Sequence, residues 1–207
     1  DFDRCFFFDE KGSFIEGYYL VGLLAKSFLI KNRNEKVIYD PRLTWNTIDV
    51  VQRYGGDAIQ CQSGHSFIKK SMRDNDAVYG GEMSAHHYFR DFYYCDSGMI
   101  PWLLILEMIS EEKMPLSQMI QKYRERYPVS GEINLKVNNT KKIIDFIKEY
   151  YLDDALGVDE TDGVGMEFEK WRFNLRASNT EPLIRLNVES NSNESLMNDK
   201  KRELLDR

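Results

Sequence analysis

The stretch Lys36-Val37-Ile38-Tyr39-Asp40-Pro41 reads as a short strand that stops at an Asp-Pro break. On its N-terminal side, residues 17–30 carry Tyr18, Val21, Leu24, Phe28 and Leu29 at helical spacing. On its C-terminal side, residues 44–54 put Ile48 and Val51 on one helical face and end at Gly55-Gly56. Further out, residues 5–8, 58–61 and 77–79 read as strands, and residues 66–73 and 97–110 as helices. Strands alternating with crossover helices predict an α/β fold, a layered domain with a mostly parallel sheet over residues 1–125.

The character changes after Tyr127-Pro128. Residues 132–137 alternate apolar and polar, as a strand with one wet face does. Residues 140–151 form an amphipathic helix with Ile143, Ile144, Phe146 and Ile147. Asp159-Glu160-Thr161-Asp162-Gly163 is turn chemistry, residues 183–188 alternate again, and residues 194–205 close as a helix. Residues 126–207 therefore read as a small α+β domain.

At 207 residues, with 42% hydrophobic and 30% charged residues, the composition is that of a soluble globular protein. A formal charge of −6 argues against nucleic acid as a partner, but leaves room for a local cationic pocket. Cys5, Cys61 and Cys95 are few and widely spaced, so neither a disulfide framework nor a zinc site is expected, and a reducing cytoplasm suits them. The longest apolar run, residues 99–109, is interrupted by Pro101 and Glu107 and is too short to span a bilayer. No signal-peptide pattern is present.

Four polar clusters carry the chemistry. Asp1 and Asp3, one residue apart and followed by Arg4, offer carboxylates that can converge on a hard cation, or simply form a solvated loop. Ser63-Gly64-His65-Ser66 lies between a strand and a helix, where a Gly lets the backbone approach an anion or polar oxygen; a plain capped turn uses the same residues. In Gly81-Glu82-Met83-Ser84-Ala85-His86-His87, the residues Glu82, Ser84 and His86 alternate and should face one space at the carboxyl end of a strand. A carboxylate, a hydroxyl and an imidazole together suit vicinal sugar hydroxyls and a proton. Arg176-Ala177-Ser178-Asn179-Thr180-Glu181-Pro182 joins two strands and combines a permanent charge with neutral donors, as a phosphate clamp or an ordinary hairpin turn does.

Taken in this order and spacing, the four loops resemble those of the α-D-phosphohexomutases, and within them the bacterial phosphomannomutase branch. Asp1-Phe2-Asp3-Arg4 is similar to the end of the metal loop Asp-Gly-Asp-x-Asp-Arg, Ser63-Gly64-His65 to the Thr-Gly-His loop, and Gly81–His86 to the Gly-Glu-Met-Ser-Gly-His sugar loop. Residues 176–182 resemble the phosphate loop. The resemblance covers essentially the whole chain and corresponds to the third and fourth domains of the family, which implies a three-layer α/β/α domain followed by a small α+β domain with an antiparallel sheet and helices. It implies interconversion of mannose 6-phosphate and mannose 1-phosphate through an enzyme phosphoserine and a hexose 1,6-bisphosphate.

The same resemblance implies residue roles. Asp1 and Asp3 become Mg²⁺ ligands. Arg4, Arg42, His65 and His86 become catalytic or pocket-lining groups. Gly64, Glu82 and Ser84 contact the sugar, and Arg176, Ser178, Asn179 and Thr180 grip the phosphate that is not transferred. Three departures stand out: Ser63 for Thr, Ala85 for Gly, and Arg42 at a position that is often Lys, where a guanidinium can stabilise charge but shuttles protons poorly. The family's Thr-Ala-Ser-His-Asn-Pro phosphoserine loop has no counterpart here, so the chain alone is expected to be inactive and to need N-terminal domains of the same protein as partners. The rival readings are a phosphoglucomutase or dual-specificity enzyme, a module that only binds phosphosugars, and a structural domain pair with incidental polar loops.

Overall fold

The computed structural model describes residues 2–178 and 181–207. The chain divides into two compact units. The first comprises residues up to Asp40 together with Thr44–Tyr123; the second takes in Pro41–Leu43 and Arg124–Arg207.

The first unit opens with a small hairpin of β1 (Phe7–Phe8) and β2 (Phe14–Ile15), paired Phe7 to Ile15. The Asp9 carboxylate closes its turn by accepting from the Lys11 and Ser13 amides at 3.0 and 2.9 Å. The strand expected over residues 5–8 is thus shortened to two residues and stands in a sheet of its own. Next come α1 (Gly17–Lys31), β3 (Lys36–Tyr39), α2 (Trp45–Arg53), β4 (Asp57–Gln60) and α3 (His65–Asn75). They are followed by β5 (Tyr79–Gly81), β6 (His87–Phe89), β7 (Cys95–Asp96), α4 (Met99–Glu112) and α5 (Leu116–Arg126).

Five strands form one sheet in the order β4-β3-β5-β6-β7. β3 pairs in parallel with β4 and β5, whereas β5–β6 and β6–β7 are antiparallel, so the parallel heart carries an antiparallel extension. Alternation along β5 shows how the layers stack. A Cβ on Gly80 would sit 2.8 Å from Met72 Sδ and 3.2 Å from Ile68, both on α3; one on Gly81 would sit 2.7 Å from Val21 on α1. Consecutive residues of a strand face opposite sides, so α1 and α3 cover opposite faces of the sheet. The two glycines let both helices come close. Ile38, Ile68, Met72, Ala77 and Tyr88 form the core on the α3 side.

α1 is buried along nearly its whole length, and even Lys26 is covered, with its ammonium on Glu112 of α4 at 2.7 Å. α4 is apolar on two sides: Pro101, Ile105 and Met108 are buried, while Trp102, Leu103 and Leu106 face solvent.

The second unit contains β8 (Ile133–Lys136), α6 (Thr140–Tyr151), β9 (Gly157–Asp159), β10 (Val164–Glu167), β11 (Trp171–Ala177), β12 (Leu183–Ser190) and α7 (Glu194–Leu205). Its strands form an antiparallel sheet in the order β8-β12-β11-β10-β9. Asn139 and Asn193 cap α6 and α7, their side chains accepting from the amides three residues on. Strand alternation sorts the sheet's two faces. Phe173, Leu175, Ile184, Leu186 and Val188 join Ile147, Tyr151, Met197 and Leu204 in the core. Arg172, Asn174 and Arg176 occupy the other face, directly opposite Glu189, Asn187 and Arg185.

His87 belongs to the core of the first unit. Its ring is fully buried, stacked on Tyr79, with Nδ1 2.7 Å from the Tyr79 hydroxyl. Burial, helped by the adjacent His86 and opposed by Glu82, lowers its pKa to about 3. The unfolded chain therefore takes up a proton near pH 6.5 that the folded chain refuses until about pH 3, so stability is lost as pH falls through this window. From pH 7.5 to 5 the loss from this group is about 2 kcal/mol. Urea unfolding at the two pH values, compared with a His87→Gln variant, should show the variant less pH-sensitive by about that amount; equal pH dependence would refute the assignment.

Candidate functional site

β3 and β5 run in register, Tyr39 beside Gly81, so Asp40 and Glu82 emerge side by side at the carboxyl ends of the two strands. The following residues turn tightly back into β6. The Glu82 amide donates to the His86 carbonyl at 2.9 Å and the Ala85 amide to the Glu82 carbonyl at 3.0 Å. The Asp40 carboxylate fixes the turn by accepting from the Met83 amide at 2.7 Å.

This turn brings Glu82, Ser84 and His86 together. The buried Glu82 carboxylate accepts from Ser84 Oγ at 2.9 Å and lies 3.3 Å from His86 Nδ1 through one oxygen. Its other oxygen accepts from the Gly64 amide at 2.9 Å and from the Tyr88 hydroxyl at 3.4 Å. Burial first, and then the charge of Glu82, push the Tyr88 phenol well above its ordinary range, so it stays a donor. Gly64, at the start of α3, adopts φ 123°, which favours glycine and aims its N–H at Glu82. His65 opens α3 and is exposed, outside this hydrogen-bond network.

The N-terminal segment reaches the same place. The Cys5 amide donates to the Ala85 carbonyl at 3.1 Å, and Arg4 forms a β-bridge with His86. Arg4 Nε–H donates to His86 Nε2 at 3.1 Å, so in the neutral ring the proton sits on Nδ1, facing Glu82 and Ser84. Asp3 lies 3.5 Å from His86 Nε2. Slight burial acts to raise the Asp3 pKa, but its own backbone N–H and the nearby His86 outweigh that and hold the carboxyl below the ordinary range. Ligand atoms of Asp3, His86 and Asp96 lie within 4.8 Å of one another, and Asp96 is paired with Lys69 at 2.6 Å. Asp1 lies outside the described residues. The carboxylate oxygens of Asp3 and Asp96 are donors of the hard type that Mg²⁺ takes, so the residues present fit that ion.

The remaining candidates lie in the second unit. Arg176 is the penultimate residue of β11 and buried, rather than set out in the loop. The Ser178 amide closes that loop by donating to the Leu183 carbonyl at 2.8 Å; Asn179 and Thr180 lie outside the described residues. Arg42, which the sequence boundary assigns to the first domain, sits in the segment Pro41–Leu43 that groups with the second unit. That segment is held by Arg172, whose guanidinium donates to the Pro41 and Arg42 carbonyls at 3.0 and 3.2 Å. Arg42 and Arg176 meet at Glu132, 3.6 and 3.5 Å from its carboxylate.

Sequence reasoning missed Asp40, Tyr88, Asp96, Glu132 and Arg185. Arg185 could have been found by counting back across the hairpin from Arg176, and Tyr88 by carrying the alternation of Glu82, Ser84 and His86 one step further; the others are joined to the site only by long-range packing.

Family models for phosphoglucomutase/phosphomannomutase match this chain twice: the alpha/beta/alpha domain III over residues 16–127 and the C-terminal domain over residues 132–205. The chain belongs to that family. A phosphomannomutase of Vibrio cholerae is 60% identical over 205 residues, covering 99% of this chain and 44% of the relative. Proteins named phosphohexose mutases from Xanthomonas campestris are 54% identical over 99% of this chain and 46% of their own length. A solved phosphoglucomutase/phosphomannomutase family protein from Burkholderia thailandensis superimposes with a TM-score of 0.83 at 28% identity, over 99% of this chain and 44% of that one. The chain thus spans about half the length of the curated relatives it matches.

Within this family fold, Ala85 is locally strained. It adopts φ 69°, a left-handed conformation that costs a residue with a Cβ roughly 1–2 kcal/mol. Glycine would relieve this while adding about 0.4–1 kcal/mol of unfolded-state entropy cost. Ala85→Gly should therefore stabilise the chain by about 0.5–1 kcal/mol, raising Tm by about 1–4 °C. Calorimetry checks this; a lowered Tm would show that the methyl packs better than it strains.

Proposed function

We propose that the full-length protein is a phosphomannomutase that interconverts mannose 6-phosphate and mannose 1-phosphate in the cytoplasm. The observation that carries this reading is the buried Glu82 carboxylate, ringed by Gly64, Ser84, His86 and Tyr88 at the ends of parallel strands. It is a preorganised acceptor for vicinal sugar hydroxyls, placed where open α/β sheets bind ligands. The names of the 54–60% identical relatives support the reaction class.

In this reading, Glu82 and Ser84 hold the 3- and 4-hydroxyls of the sugar. His86, with one nitrogen toward Glu82 and the other toward Arg4 and Asp3, moves the proton of the reacting hydroxyl. Arg4 and Arg42, permanently charged, stabilise negative charge on the phosphoryl groups. Arg176, Ser178, Asn179 and Thr180 grip the phosphate that stays, while His65 and Gly64 line the sugar pocket. Asp1 and Asp3 hold Mg²⁺, which when bound neutralises charge on the transferring group. The phosphoserine lies in domains of the longer protein that this chain does not match. It gives its phosphoryl to one hydroxyl, forming the hexose 1,6-bisphosphate, and takes the other phosphoryl back.

Dual mannose and glucose specificity is the second reading. It is favoured because Glu82 and Ser84 would contact hydroxyls that the two sugars share, and because the Xanthomonas relatives carry the broader name phosphohexose mutases. No helix among the described residues is long and apolar enough to cross a membrane.

In a coupled assay with mannose 1-phosphate, Mg²⁺ and hexose 1,6-bisphosphate, the 207-residue chain alone should show no turnover, whereas the full-length protein turns over. In the full-length protein, Glu82→Gln should weaken a charge-assisted interaction of about 1.5–3 kcal/mol and lower kcat/KM by about 10- to 150-fold, with the circular dichroism spectrum unchanged. Unaltered kinetics in that variant would remove Glu82 from the sugar site. Assaying glucose 1-phosphate alongside separates the two specificities.

A further inference from the structure

The sheet of the second unit creates an electrostatic problem. β11 and β12 pair so that Arg176 lies directly opposite Arg185, and like charges in that position repel. The anion that relieves the repulsion is Glu132. One of its oxygens is 3.5 Å from Arg185 Nη1; the other is 3.5 Å from Arg176 Nη2 and 3.6 Å from Arg42 Nη1. Asp162 adds a second carboxylate at 3.8 Å from Arg176 Nη1. Arg42, Arg176 and Arg185 thus gather around Glu132, with Asp162 at the side of Arg176.

These contacts are loose. A charge-assisted N–H···O bond settles at about 2.7–2.9 Å. On the same face of the same sheet, the buried pair Arg172–Glu189 does so, at 2.8 Å. The sheet can therefore build a tight ion pair, and at Glu132 it has not. Arg176 Nε and Arg185 Nε are moreover buried with no hydrogen-bond acceptor, in a fold where such donors are normally satisfied. Arg176 itself is only 8% exposed. Glu132, even with Asp162 beside it, leaves Arg176 Nε and Arg185 Nε unmet, whereas a phosphate monoester offers three terminal oxygens in a tetrahedral array. Glu132 can also leave cheaply. It precedes β8, whose pairing begins at Ile133, and it follows Gly131 at φ 70°.

We propose that Glu132 is an internal stand-in for phosphate: it neutralises the Arg42, Arg176 and Arg185 cluster in the unliganded protein and gives way when the phosphate monoester of a sugar binds. The inference rests on the reading of Arg176 as part of the phosphate grip. It adds that phosphate affinity is set by competition with a carboxylate of the same chain. That competition keeps the cluster ordered between turnovers and weakens its hold on the phosphate, so that product can depart.

The test uses this chain and inorganic phosphate, with binding followed by backbone amide shifts and by Tm as a function of phosphate concentration. Glu132→Gln keeps the shape and removes the competing charge. Its phosphate Kd should fall about tenfold, and its Tm should climb more with added phosphate than that of the unaltered chain. Glu132→Asp, which keeps the charge but withdraws it, should lie between the two, and serves if the Gln variant folds only with phosphate present. Phosphate binding that is abolished by Arg176→Ala but unchanged or weakened by both Glu132 variants would overturn the stand-in role alone. Phosphate shifts that are indifferent to Arg176→Ala would overturn the phosphate grip itself, and the stand-in with it.

Discussion

The candidate site of the first unit depends on one constraint: the oxygens of a buried carboxylate must be met by hydrogen-bond donors, or its burial is costly. Glu82 meets that condition with groups from three parts of the chain, the Gly64 amide before α3, the Ser84 and His86 side chains of the turn, and the Tyr88 hydroxyl on β6. Each donor is positioned by something else. Gly64 follows β4, Ser84 and His86 sit on a turn tied to Asp40, and Tyr88 packs in the core formed with α3. The alignment of β3 with β5 is what makes these contributions coincide, because it sets Asp40 beside Glu82. Sheet register and the geometry around Glu82 are therefore one property.

The second unit solves the opposite problem. Its polar sheet face carries guanidiniums that need anions, and it satisfies them unequally. Arg172 is locked to Glu189 and to the carbonyls of Pro41 and Arg42, an arrangement that fixes where Arg42 lies. Arg176 and Arg185 share a distant carboxylate and keep unused donors. Burying charge is costly unless it is paired closely, so the two arrangements on one sheet face differ in how fully they offset that cost.

The sequence revealed the parts of this arrangement that are local. The run at residues 36–39 with its Asp-Pro stop, and the helices around it, were legible from hydrophobic spacing. So was the convergence of Glu82, Ser84 and His86, which needs only alternate residues near a strand end. β7 was not legible because two residues are too short for any periodicity to register, and β6 because it continues the polar loop at residues 81–87 without a break. α5 carries a helical pattern, with Leu116, Met119, Ile120 and Tyr123 all buried, but it straddles the boundary between the two units. Residues 5–8 were apolar enough to read as a strand, yet Phe6 and Phe8 are exposed, because apolar composition does not say which sheet a strand joins. Asp96 and Glu132 bear no local mark. Their importance lies in what packs beside them, and only tertiary structure reveals that.

A last feature concerns Gly17, which opens α1. A side chain there would put its Cβ 2.4 Å from the Met83 carbonyl oxygen and 3.4 Å from the Ala85 amide. Gly98, just before α4, stands in the same relation to the Arg4 carbonyl, also 2.4 Å from a notional Cβ. Neither residue carries a functional group, and neither has the positive φ that usually explains a glycine. What each supplies is vacancy: the floor on which a site segment lies is bare backbone. These two positions belong to the site by what they lack, and an inventory of polar side chains passes over them. Their freedom to vary is limited by the shape of a neighbouring loop rather than by the helices they begin.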